Sequence, residues 1–193
     1  MDINRILWFL NSLFMPFVSP TTATTLMEPV PFPQSGAVPM RAYAEIKRAL
    51  ESISQRYYRL ILLVGKPESV EQTKLLQQIE HEYGGRLINV NLHLAEKLLA
   101  LTEQERIAQI QQPDILQPEP AGDLLILDHT EILFEPTLHL DPLRLLQQIS
   151  RNRTVLATWS GRFESEQLYY AEPGHPEYHR YSRPDAVIIH FHH

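Results

Sequence analysis

The sequence predicts an α/β protein whose mainly parallel sheet lies between two layers of helices. Three observations carry that expectation. Short, continuous apolar runs at 60–64, 123–127 and 154–158 have the composition of strands buried on both faces. Amphipathic segments at helical spacing alternate with them. The runs end at Gly65, Asp128 and Thr158-Trp159, and ligands bind such sheets beyond the carboxyl ends of their strands.

Residues 1–39 stand apart from this pattern. Six of the 15 prolines precede Met40, where the only charged residues are Asp2, Arg5 and Glu28. Residues 6–18 are almost wholly apolar. The run is nevertheless shorter than the ~20 residues of a bilayer span, and Asn11, Ser12 and Pro16 interrupt it. No basic leading region and no A-x-A-like cleavage site accompany it, which argues against an export signal. Ile6, Leu10, Leu13, Phe14 and Phe17 share one helical spacing, so a short helix against the domain or a partner is expected. The plainer alternative is an upstream start codon, with folding beginning near Met40. Either way the chain divides into a 1–39 extension and a 40–193 domain.

From Met40 the elements follow in order. Residues 40–56 form a helix with Ala44, Ile46, Leu50 and Ile53 among polar neighbours. The strand at 60–64 comes next, then a helix at 69–83 that Gly84-Gly85 stops. A strand at 87–90, with Asn91 at its end, leads to a helix at 92–101. Thr102-x-x-Glu105 is a capping box opening another. Pro113, Pro118 and Pro120 mark a loop before the strand at 123–127. Asp141 and Pro142 are N-cap and first residue of a helix to Ser150. The strand at 154–158 and further strands at 168–170 and 186–189 complete the domain.

Composition narrows the function classes. With no cysteine, disulfides, thiolate metal sites and a cysteine nucleophile are excluded. A net charge of −6 argues against a broad phosphate-tracking surface, although a local basic patch remains open.

Two constellations carry chemistry. Strand, Gly65-Lys66-Pro67-Glu68-Ser69 and helix together make a phosphate cradle, because loop and first-turn N–H groups converge there. A working P-loop reads G-x-x-x-x-G-K-[ST]. Counted from Gly65, its last three positions hold Val70, Glu71 and Gln72, so glycine, lysine and hydroxyl are all missing. Thr73 lies one residue late, and an inserted residue would restore only the hydroxyl. Ser69-x-x-Gln72 instead has the form of a capping box. The second constellation is Leu124-Leu-Ile-Leu-Asp128, a strand tipped by a carboxylate able to support Mg²⁺. His129 follows, where many ATPases place a water-activating glutamate, and Glu131 comes three residues beyond Asp128.

Other candidates weigh less. His175 and His179 have H-x3-H spacing, but Pro176 disfavours the helix that would align them, so packing histidines are expected. His190, His192 and His193 cluster at the end of the sequence. Arg151 and Arg153 could serve as trans-acting arginine fingers, or simply offset a helix dipole. The Tyr57-Tyr58 and Tyr169-Tyr170 pairs are expected to pack rather than to stack on bases.

Residues from about 57 to 189 resemble the BrxF family, small P-loop proteins of one class of BREX bacteriophage-defence systems. The segments carrying the resemblance are Leu60-Ile-Leu-Leu-Val-Gly65, Ile88-Asn-Val-Asn91 with 92–99, 124–134, and 140–161 with Ser150-Arg-Asn-Arg-Thr-Val155. Tyr170-Ala-Glu-Pro-Gly-His-Pro-Glu-Tyr178 through Arg183-Pro-Asp-Ala-Val187 adds to it. The resemblance implies a P-loop NTPase-like fold, here with a degenerate Walker A loop, in a cytoplasmic protein acting with other BREX proteins. The sequence departs from a nucleotide-binding loop at Val70, Glu71 and Gln72. A non-catalytic subunit with no cofactor is therefore expected. ATP and Mg²⁺ remain the alternative, held by Gly65, Lys66, Pro67, Ser69, Thr73 and Asp128, with Asp128 on the metal. No membrane span is expected; direct nucleic-acid contact and homo-oligomerisation stay open.

Overall fold

The computed structural model describes residues 37–66, 70–112, 114–116 and 122–191. The expectations placed on residues 1–36, on Pro67, Glu68 and Ser69, on Pro113, Pro118 and Pro120, and on His192 and His193 lie outside them.

Among the described residues, five α-helices and seven strands follow in order: α1 Ala37–Ser52, β1 Leu60–Gly65, α2 Val70–Tyr83, β2 Arg86–Asn89, α3 Val90–Leu98, α4 Glu103–Ile110, β3 Leu124–Asp128, α5 Pro142–Ile149, β4 Thr154–Glu164, β5 Gln167–Tyr170, β6 His179–Ser182 and β7 Val187–Phe191. The main sheet runs β2-β3-β4-β1-β7 with every neighbouring pair parallel. β1 and β4 lie at its centre, and β1 is buried from Leu60 through Val64. This explains the unbroken apolar run: neither face of a central parallel strand meets water.

Alternate residues of the strands feed two separate cores. Ile61, Leu63, Ile126, Leu156 and Ile189 pack against Ala42, Ile46, Ala49 and Ile53 from α1 and its 3-10 extension, and Leu75, Leu76 and Ile79 from α2. Leu62, Val64, Leu125, Leu127, Val155 and Ala157 pack against Val90, Leu94 and Leu98 of α3 and Leu143, Leu146 and Ile149 of α5. The expected α/β architecture, helices on both faces of a mostly parallel sheet, is thus present.

Several boundaries differ from the sequence expectation. α1 begins at Ala37, three residues before Met40, and gives way to a 3-10 turn at Ile53. β2 ends at Asn89, whose side chain accepts the Leu92 N–H at 3.0 Å and so starts α3 two residues early. Asn91, expected at a strand end, therefore lies in the first helical turn. β4 continues six residues past Thr158 and pairs antiparallel with β5, which pairs with β6. β6 had no counterpart among the expected strands. Gly161 makes this overrun feasible, because a Cβ there would stand 2.0 Å from the Tyr169 carbonyl oxygen.

Candidate functional site

The carboxyl ends of β1, β3 and β4 converge on one edge of the sheet. Gly65 closes β1 between Ser160 of β4 and Phe191 of β7. A Cβ on it would lie 2.5 Å from the Phe191 carbonyl oxygen, so glycine is required by the β7 backbone itself. Lys66 follows as an exposed residue.

Across β4 from Gly65 stands Asp128, only 4% exposed. It shares the α2 side of the sheet with Ile126, as strand alternation requires. Thr73, in the first turn of α2, donates its hydroxyl to Asp128 Oδ2 at 2.9 Å. The His129 N–H donates to Oδ1 at 2.9 Å, and the His129 ring Nδ1 lies 3.2 Å from Oδ2. His129 adopts a left-handed backbone, φ 54°, which folds its ring back toward the carboxylate. Burial by itself would raise the Asp128 pKa. The hydrogen bonds and charge of His129, with the Thr73 hydroxyl, outweigh it and hold the carboxyl below the ordinary value.

A second carboxylate sits close by in sequence. Glu131 opens a 3-10 turn, and its two oxygens accept from the Ser160 hydroxyl and from Asn91 Nδ2 at 3.4 Å. Asn91 Oδ1 in turn accepts the Ile132 N–H at 2.9 Å. The first turn of α3 and the middle of β4 thus hold Glu131 from two sides. Thr130 donates to the Thr158 carbonyl at 2.8 Å, fixing the same turn to β4. Thr158 Oγ1 is buried beside Asp128 and finds no hydrogen-bond partner among the described residues. The sequence signalled Asp128, but gave no warning that Asn91 and Ser160 would meet Glu131. That contact depends on where a helix start and an overlong strand come together.

The other candidates are dispersed. Pro67 and Ser69 lie outside the described residues, and the expected Ser69–Gln72 capping box lies outside them as well. Gln72 is 5% exposed, with its side chain turned inward, whereas Glu71 is exposed. Arg151 and Arg153 sit before β4, at the opposite end of the sheet from Asp128, beyond reach of this site in the same chain. Arg151 lies over the rings of Tyr57 and Tyr58. The His175 ring accepts the Glu177 N–H and the His179 ring bonds the Glu177 carbonyl, so both serve the local turn. His190 is exposed on β7 against Phe163. Tyr170 is buried against Phe134, whereas Tyr57 is 67% exposed. No family model, curated protein or solved structure matches this chain. Among the described residues, no helix is long and apolar enough to cross a membrane.

Proposed function

We propose that the chain is a P-loop-type subunit of a BREX-like antiphage defence system, acting in the cytoplasm through protein partners without turning over nucleotide. The observation that carries this reading is the Thr73–Asp128 hydrogen bond. A hydroxyl in the first turn after one strand, meeting an aspartate at the end of a strand two positions away, is the pairing that supports Mg²⁺ in nucleotide-binding P-loops. It implies a loop one residue longer than the consensus. Gln72 then takes the lysine position and Glu71 the glycine position. Counting straight from Gly65 assigned them one position later in the motif.

Thr73 and Asp128 are oxygen donors of the kind Mg²⁺ accepts, and they would hold the ion. The phosphate half of the cradle does not fit. Gln72 is neutral and buried where an extended cation is needed, and Glu71 brings negative charge to the loop. No phosphoryl-transfer step follows from these residues. Partner binding is the role left to a fold whose strand ends are filled with its own side chains.

An active NTPase with an atypical loop is the second reading, favoured by Glu131. Held by Ser160 and Asn91, that carboxylate could replace the water-activating base missing at His129. Calorimetry with Mg·ATP and Mg·GTP separates the two. The scaffold reading expects no binding at micromolar nucleotide. A dissociation constant below about 10 μM, roughly 7 kcal/mol, abolished by Lys66→Ala or Asp128→Ala in folded protein, establishes the NTPase instead. In a plaque assay the scaffold reading expects Lys66→Ala to keep protection.

A further inference from the structure

We propose that the opposite, amino-terminal edge of the sheet is a stacking platform for single-stranded nucleic acid, built on Tyr57, Tyr58 and Arg151. The segments entering β1 and β4 emerge side by side there. The Arg59 N–H donates to the Ser150 carbonyl at 3.0 Å, and the Val155 N–H donates to the Arg59 carbonyl at 2.8 Å. This pairing brings Arg56, Tyr57, Tyr58 and Arg59 beside Arg151, Asn152 and Arg153.

The two tyrosine rings meet edge to face, with centroids 4.8 Å apart and planes at 76°. The Arg151 guanidinium lies over both, 5.3 Å from the Tyr57 centroid and 5.7 Å from that of Tyr58. One such cation–π contact steadies the rings without covering them, and Tyr57 remains 67% exposed. Tyr57 thus presents a large ring to water beside the Arg151 guanidinium, ahead of the buried start of β1 at Leu60. Its free surface suits a nucleobase, which stacks on an aromatic ring whatever its sequence.

Local charge supplies the second element. Arg56, Arg59, Arg151 and Arg153 gather at this edge of a chain whose net charge is −6. Of the acids at this edge, Asp185 lies 3.8 Å from Arg56, and Glu51 is exposed at the end of α1. With Arg56 paired to Asp185, Arg59 and Arg151 are the cations beside the tyrosines that phosphates would meet. An acidic protein segment would use the arginines alone. The exposed ring favours a ligand with flat bases. The platform is independent of Thr73 and Asp128, and it stands whichever reading of that site holds.

Fluorescence anisotropy tests it on the full chain with a labelled oligodeoxythymidine of about 20 nucleotides, longer than a typical single-strand site. Binding in the micromolar range is expected at about 50 mM salt, weakening steeply as salt rises. Tyr57→Ala should weaken it about fivefold or more, while Tyr57→Trp keeps it. Arg151→Ala should weaken binding and reduce the magnitude of the salt slope by about 0.7. Tyr57 is exposed, so circular dichroism should find these variants folded. Absence of binding at about 100 μM protein, close to the weakest nonspecific affinities, overturns the proposal. So does binding that Tyr57→Ala leaves unchanged. Preferential binding of a polyglutamate peptide over the oligonucleotide would make the edge a docking surface for acidic protein instead.

Discussion

Asp128 remains charged although nearly all its surface is removed from water, because Thr73 and His129 supply donors on both oxygens. Removing one donor from a buried carboxylate costs more than removing a surface hydrogen bond. Thr73→Val should therefore destabilise the domain by about 1.5–3 kcal/mol at pH 7, read by urea denaturation. The pH dependence has a definite sign. The folded pKa lies below the ordinary 3.8, so the stabilisation from charged Asp128 is complete above that value. It is lost as pH falls through the depressed folded pKa. The gap between native protein and Thr73→Val should accordingly narrow below about pH 4. A gap constant across that range would deny Thr73 its role at the carboxylate. Gly65 teaches a related lesson: it suggested a phosphate loop, yet its proximity to Phe191 would require glycine in any case.

Among the elements, the helix starts were the most legible, because a cap is written in adjacent residues. Thr102 and Glu105 cap α4 reciprocally, and Asp141 accepts the Arg144 N–H at 3.0 Å with Pro142 in the first turn of α5. The sequence could not show that Asp141 also accepts the Tyr181 hydroxyl, 3.0 Å away on β6. One carboxylate thus starts a helix and ties down the antiparallel β4-β5-β6 extension. Asp141→Ala should cost about 1–2 kcal/mol, against about 1 kcal/mol for Thr102→Ala, in parallel denaturation curves. Equal losses would mean that the Tyr181 contact contributes nothing. Of the extension, the strand at 168–170 was expected, whereas the overrun of β4 through Gly161 and the strand β6 were not. Gly161 lets the Tyr169 carbonyl approach, while Trp159 Nε1 donates to that same carbonyl at 2.8 Å.

For the whole molecule, residues 37–193 form one compact unit. α1 belongs to it, since Ala42, Ile46 and Ala49 complete one of the two cores. Deleting residues 1–36 should leave the melting temperature within a few degrees of the full chain, because Ala42, Ile46 and Ala49 of α1 are kept. Extending the deletion to residue 53 uncovers Ile61, Leu63 and Ile189 and should give aggregation or a much lower transition. Scanning calorimetry of the two truncations distinguishes an appendage from a structural part of the domain.

The sequence by itself determined the layered α/β class, the central strands, the caps of α4 and α5, and Asp128 as a strand-end carboxylate. Those features are local: a buried strand, a helix start and a turn each declare themselves within a few consecutive residues. Tertiary structure alone decided that Thr73 meets Asp128 across 55 residues, that Asn91 and Ser160 hold Glu131, and that Arg151 reaches the rings of Tyr57 and Tyr58. It decided these through strand order. By setting β4 between β1 and β3, the sheet brings distant strand ends to one edge and distant strand beginnings to the other. Hydrophobic periodicity reveals which residues are buried but not which strands become neighbours, so neither edge could be assembled from sequence spacing.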